Sequence, residues 1–210
     1  MMNSFYTYDE LKEIGFQSIG QNVFISRKTS IYSPSKISIG NNVRIDDFCI
    51  LSGNITIGDY VHISAYSALY GSNGIILEGY CGISPRCVIL SSTDNFSGDF
   101  FIGAQFPSEY RNVKGGTVIM KKFSQLATNT VVFPNIRIEE GAVTGAMTLV
   151  NKDLAPWTIN IGIPVNKSIQ RKKGLLNMVK FIDNSEILWG GYRSIVKSYG
   201  SILYVRRSRA

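Results

Sequence analysis

Along most of this chain an apolar residue returns every sixth position. The series begins at Ile19, Ile25 and Ile31, slips by two residues across 33–36, and continues through Ile39, Ile45, Leu51, Ile57, Ile63, Leu69 and Ile75. A second two-residue slip resets it to Leu77, Ile83 and Ile89; after a long gap it resumes with Met120, Leu126, Val132, Ile138, Thr144 and Val150. Thr144 alone breaks the apolar rule. A beat of six is neither the period of a helix nor the alternation of a simple strand. Three hexads closing a triangular coil do produce it: each forms a short strand with its apolar residue inward, and Gly, Asn, Asp or Pro, as in IGNNVR, IGDYVH and FPNIRI, turns the corner. Stacked coils pair each strand with those above and below, so the comb becomes one continuous core. The pattern predicts a mainly β fold, a parallel β-helix of about six coils, four before the gap and two after.

The gap is residues 91–116, SSTDNFSGDFFIGAQFPSEYRNVKGG, where Gly, Pro, Asp, Asn and aromatic residues replace the comb. A long irregular segment inside a regular array reads as a functional insertion. Residues 1–18 form an N-terminal cap with a short helix over about 8–14, its Asp9 and Glu10 suiting the positive end. The β-helix occupies 19–155. Residues 156–210 supply a Gly/Pro turn, a basic segment and a helical tail, with LLNMVKFID predicted as a helix over the open last coil. Beyond it the chain reads either as a second helix broken at Gly190 and Gly191 or as an unordered tail.

Composition narrows the class. With 44% hydrophobic and 18% charged residues over 210 positions, the chain is globular and not disordered. It has no apolar run of about 18 residues and no charged-then-apolar leader, so no membrane span and no signal peptide are expected, and a cytoplasmic location is. The net charge of +7 draws on Lys167, Arg171, Lys172 and Lys173 and on Arg206, Arg207 and Arg209. No nucleic-acid-binding signature accompanies it, so no nucleic acid is expected, and the cluster suits a small phosphate-bearing ligand. Cys49, Cys81 and Cys87 have no metal or disulfide spacing and read as small core residues. The only histidine, His62, cannot supply a three-histidine zinc site, and no metal is expected. Preceding the inward Ile63, it points outward. A coil of about 18 residues would put Arg44 below it and Tyr80 above it.

Five segments carry a family resemblance: ELKEIGFQSIGQNVFIS, NNVRIDDFCILSG, GDYVHISAYSALYG, SSTDNFSG and GAMTLVNKDLAPWTINIGIPVNK. They span nearly everything from Glu10 to Lys173. In them the chain resembles the hexapeptide-repeat acyltransferases, and within these the dTDP-4-amino-4,6-dideoxyglucose N-acetyltransferases of bacterial surface-polysaccharide synthesis. The resemblance implies a left-handed parallel β-helix with a projecting loop, a homotrimer with active sites between subunits, and acetyl-CoA as co-substrate. It puts the pantetheine arm past Gly145 and Ala146, and the CoA phosphates near Lys152, the turn at Gly162 and Pro164, and Lys167, Arg171 and Lys172, groups suited to phosphate oxygens.

Many O-acetyltransferases of this fold use a loop histidine as base, and Asp94 stands about where that residue would be expected. A sugar hydroxyl needs a base, whereas a free amine already carries its lone pair. The substitution therefore favours an amino sugar attacking the thioester directly in a ternary complex, with Asp94 orienting the ammonium or taking its proton through water. Arg44, Asp46, Asp47, Tyr70 and Asn95 are the substrate-binding candidates, although paired acids at a corner also serve turns. His62 is the second catalytic candidate, and an O-acetyltransferase using it as base is the alternative. A non-catalytic β-helix would need no insertion at 91–116.

Overall fold

The computed structural model describes residues 4–182. The expected broken second helix and the terminal arginines lie outside the described residues. The architecture is mainly β, a solenoid of stacked coils whose short strands pair in parallel, as the comb predicts. On the first face Ile19, Ile39, Ile57, Leu77, Met120 and Ile138 stand in register. The second face carries Ile25, Ile45, Ile63, Ile83 and Leu126, and the third carries Ile31, Leu51, Leu69, Ile89, Val132 and Val150. Nearly all are buried, with Ile19 and Ile31 of the first coil half-buried. This is six coils, four before the insertion and two after. Thr144 fits because its Oγ1 lies 2.9 Å from Thr130 Oγ1 and accepts the Ala127 N–H, so the buried hydroxyl is satisfied.

The corners explain the remaining sequence pattern. Asn22, Asn42, Tyr60, Tyr80 and Phe123 all have positive φ and occupy one corner, coil after coil. That backbone costs a non-glycine residue roughly 1–2 kcal/mol. Tyr60, Tyr80 and Phe123 stack with ring centroids 5.0 Å apart, and each stacked pair returns roughly 0.5–1.5 kcal/mol, which offsets part of the strain. All three cysteines are buried just inside the corners. Burial pushes each thiol up to about 11.

Both slips and the insertion fall at a single corner, between the third face and the first. The slip at 71–74 carries the insertion's base: Asn73 N–H donates to Ser91 Oγ, Ser72 and Ser92 hydroxyls lie 2.6 Å apart, and Thr117 Oγ1 donates to the Asn73 carbonyl. The insertion leaves through Ser92–Thr93, paired antiparallel with Lys114–Gly115, and holds a single 3-10 turn at Ser108–Tyr110. Phe96, Phe101, Ile102, Tyr110 and Val113 are exposed on it.

The three outer faces differ in chemistry. On the third, Ile50, Ala68, Val88, Val131 and Leu149 stand in register facing out, flanked by exposed Tyr32, Tyr70 and Phe133. The corresponding row on the second face begins Phe24, Arg44, His62, Gly82 and Gln125. Gly82, not Tyr80, therefore lies above His62. The two residues added at 71–74 lengthen that coil to 20, and Tyr80 moves to the corner.

The N-terminal helix Tyr8–Glu13 starts in a capping box, Thr7 Oγ1 accepting from Glu10 N and Glu10 Oε2 from Thr7 N, and it buries Leu11. Arg27 beside Glu10 holds that carboxyl down to about 2. At the other end, the residues expected to form a turn and a basic segment make an antiparallel hairpin, Thr158–Gly162 with Val165–Gln170, added to the second face. The Gly/Pro pair sits at its tip. Residues through Lys173 form one compact unit, and the expected helix, Leu176–Ile182, belongs to a second.

Candidate functional site

The sequence candidates separate into three groups. The first stands on the outer second face, where parallel registry sets Arg44 directly under His62. Asp46 lies between them: its Oδ1 accepts from Arg44 Nε at 2.7 Å, and its Oδ2 lies 2.8 Å from His62 Nε2. Its neighbour Asp47 points to the other side of the strand end, where Ser26 Oγ donates to Oδ1 and Lys28 Nζ to Oδ2 at 2.9 Å. Those donors pull the Asp47 carboxyl below the usual range, the Ser26 hydroxyl contributing most. Both carboxylates thus have both oxygens engaged.

The second group is in the insertion. Asp94 and Arg111 are each about one-fifth exposed and form an ion pair, Arg111 Nη2 donating to Asp94 Oδ1 at 3.1 Å. Asp94 Oδ2 has no hydrogen-bond partner among the described residues. Asn95 Oδ1 accepts from Ser97 N–H in a turn within the loop. Tyr70 lies on the third face at the insertion's root, its carbonyl accepting from the N–H and hydroxyl of Ser91. The His62 cluster and the Asp94 pair make no contact with each other; they leave the coil from different sides.

The third group is at the C-terminal end of the solenoid. Gly145 is on the second face, where an added Cβ would come within 3.1 Å of Ile161 Cγ1, and Ala146 beside it is exposed. Gly162 and Pro164 form the hairpin tip; Lys152, Lys167 and Lys172 are exposed. Arg171 is differently employed. Its Nη1 donates to the carbonyls of Phe123 and Gly141 at 2.9 and 2.8 Å, its guanidinium lies over Trp157, and burial lowers its pKa. No cluster of three or more metal-ligating side chains occurs among the described residues.

One column was not singled out in the sequence. Above buried Ser26, the residues that follow the inward positions of the second face from Ile45 upward run Asp46, Ser64, Ser84, Ala127, Gly145, Ile161. The backbone N–H of Asp46, Ser64 and Ser84 each donates to the coil above, as does that of Gly145. A charged lower end thus passes through small residues to an apolar top, one step of about 4.8 Å per coil. Such a lane can accept a long, slender ligand without side-chain obstruction.

Residues 36–71 match the bacterial transferase hexapeptide family (six repeats). Over 181 residues the chain is 42% identical to a dTDP-4-amino-4,6-dideoxy-D-glucose acyltransferase of Escherichia coli, covering 85% of this chain and 94% of that one. The chain belongs to the hexapeptide-repeat acyltransferases. The fold of this acyltransferase is also similar to that of AntD, an N-acyltransferase from Bacillus cereus. The D94A variant of AntD, in complex with dTDP and coenzyme A, superposes with a TM-score of 0.85 at 48% identity, covering 88% of this chain and all of that one. An S84C variant with dTDP-4-amino-4,6-dideoxyglucose and coenzyme A gives 0.84 at 48% identity over the same shares. A complex with dTDP and 3-hydroxybutyryl-CoA gives 0.84 at 49%, covering 87% and 98%.

Those AntD variants carry substitutions written D94A and S84C in that protein's own numbering. Ser84, half-buried in that second-face column, was not among the sequence candidates. An outward serine beside a corner is ordinary in such coils, and only its place in the column between the charged cluster and Gly145 distinguishes it. No helix among the described residues is long and apolar enough to cross a membrane.

Proposed function

We propose that this chain transfers an acyl group, acetyl on the sequence reading, from acyl-CoA to the amine of a dTDP-linked 4-amino-4,6-dideoxyglucose in surface-polysaccharide synthesis. One observation carries the choice of amine: among the three candidate acids, only Asp94 keeps an unengaged carboxylate oxygen, Oδ2. Because Arg111 takes Oδ1, that free oxygen presents negative charge to an arriving ammonium. Oδ2 takes one proton from the ammonium, directly or through water; the freed lone pair bonds to the thioester carbon, and the nitrogen sheds a second proton as the intermediate collapses. The C–S bond then breaks and the sulfur leaves as the thiolate, which takes up a proton to give free CoA. Substrate and CoA named together in the AntD complex fit a ternary route.

The lane from Ser84 to Gly145 and Ile161 would hold the pantetheine arm, and exposed Lys152, Lys167 and Lys172 its phosphates. In this reading Ser84 touches the acceptor where lane and cluster meet. The assembly is a homotrimer. Its support is the outward apolar row of the third face, half-buried and flanked by exposed Tyr32, Tyr70 and Phe133, and the separation of Asp94 from the second face, which a neighbour's insertion would close. His62 has its own support as a base, since its contact with Asp46 Oδ2 resembles an oriented Asp–His pair. Release of CoA from acetyl-, 3-hydroxybutyryl- and other acyl-CoA thioesters, measured with dTDP-, UDP- and GDP-amino sugars and their hydroxyl counterparts, tests the reading. Turnover with dTDP-4-amino-4,6-dideoxyglucose and none with the 4-hydroxyl sugar is expected; preference for the hydroxyl sugar would overturn it.

A further inference from the structure

Arg111 is an unusual arginine for this molecule. Its side chain is about one-fifth exposed, and its Nε is fully buried yet has no hydrogen-bond partner among the described residues. Arginines that brace the fold are better satisfied: Arg171 donates to two carbonyls, and Arg27 has a short charged contact to Glu10. A buried, unsatisfied guanidinium N–H costs free energy, and such costs persist where the group has a task that structure alone does not demand. The contact Arg111 does make is single-ended, to Asp94 Oδ1, from 17 positions away in the sequence.

The backbone around it sets the geometry of the contact. Ser92 pairs with Gly115 and Thr93 with Lys114, so the two legs of the insertion are zipped as far as Thr93. Continued, that register would set Asp94 opposite Val113; the Asp94–Arg111 side-chain pair ties the two legs two residues farther out on the returning one. On the returning leg Arg111 N–H donates to the Ser108 carbonyl, and Phe101 N–H to that of Tyr110, which fixes the stem from which the guanidinium reaches back. Asp94 is thereby held by one oxygen at the end of a rigid ladder.

We propose that Arg111 is the positioning residue for Asp94: by occupying Oδ1 it keeps the carboxylate turned so that Oδ2 faces the acceptor amine. This rests on the role given to Asp94 above. Arg111 touches neither substrate; it acts through Asp94, and its removal frees the carboxylate to rotate. Lysine supplies the charge from a single point without the planar fork, and restores orientation only in part.

The test is a double-mutant cycle in steady-state CoA release with D94N, Arg111→Met, Arg111→Lys and D94N/R111M, each checked for its melting temperature and assembly. Arg111→Met is expected to lower kcat about 30-fold or more with KM for acyl-CoA unchanged, and Arg111→Lys to recover part of the loss. In the D94N background, R111M should cost no more than about twofold, because the group it orients is gone. An Arg111→Ala variant should regain activity with millimolar guanidinium, well below denaturing concentrations, if the loss is local and not a collapsed loop. R111M activity within threefold of the unaltered protein, or losses that multiply in the double variant, would overturn the proposal. If D94N itself retains full activity, the role of Asp94 falls instead.

Discussion

Two aspartates, each held by an arginine, sit in opposite circumstances. Asp46 is mounted on the coil, its side chain bridging Arg44 and His62, with both oxygens engaged. Asp94 is mounted on the insertion, with Arg111 on one oxygen and the other open. The coil offers rigidity: strands pair on both sides and an apolar comb lies beneath. Its outward polar groups consequently satisfy one another, and a satisfied carboxylate binds a new partner only by giving up an old one. The insertion is free of that lattice, and its zipped base holds a carboxylate half-satisfied. Charge left available for chemistry is therefore found on the loop, and charge spent on shape is found on the coil.

The sharpest way to break this contrast is to remove the open oxygen's charge. D94N should lower kcat by about 100-fold or more, as loss of a proton acceptor does, without lowering the melting temperature. Next is the loop's base. A Cβ at Gly115 would lie 1.9 Å from Asn73 Nδ2 and 2.6 Å from the Ser91 carbonyl oxygen. Gly115→Ala should shift the leg that carries Asp94 and cut kcat by about tenfold, comparable to an ångström-scale misplacement, while circular dichroism reports an intact solenoid. If kcat is unchanged, loop placement is not what the reaction depends on.

The coil site should behave in reverse. D46N leaves Arg44 and His62 without their shared anion and should cost about 1 kcal/mol of stability, read as a drop of a few degrees in melting temperature, with kcat changed less than about fivefold. His62→Asn should lower kcat less than about tenfold; a loss of about a hundredfold would move the base onto the coil and favour the hydroxyl-acceptor reading. Smallest of all should be the effect of thiol reagents. Cys49, Cys81 and Cys87 are buried and their thiols are pushed up to about 11, so at pH 8 they stay protonated and enclosed. No labelling is expected until the solenoid is unfolded, and activity should be unaffected.

The same contrast governs what could be read from sequence. The coils were legible because each inward position must be apolar or, like Thr144, internally satisfied, so the six coils and their break at 91–116 follow from spacing. Tyr80 was misplaced over His62 because two residues added at a corner shift every later outward position by two. The hairpin at 158–170 was missed because a Gly/Pro pair marks a turn without telling whether strands flank it. His62 and Asp46 could be brought together by counting coils. The Asp94–Arg111 pair could not, since nothing periodic links positions 94 and 111 inside a loop, and resemblance alone drew attention to Asp94. Ser84 looked like any corner serine.

The account turns on Asp94, not His62, being the group on which amine transfer depends. The direct test is kcat for CoA release with dTDP-4-amino-4,6-dideoxyglucose, measured side by side for D94N and His62→Asn at saturating acyl-CoA. A loss of about 100-fold or more in D94N beside less than about tenfold in His62→Asn is predicted. The opposite order would contradict it.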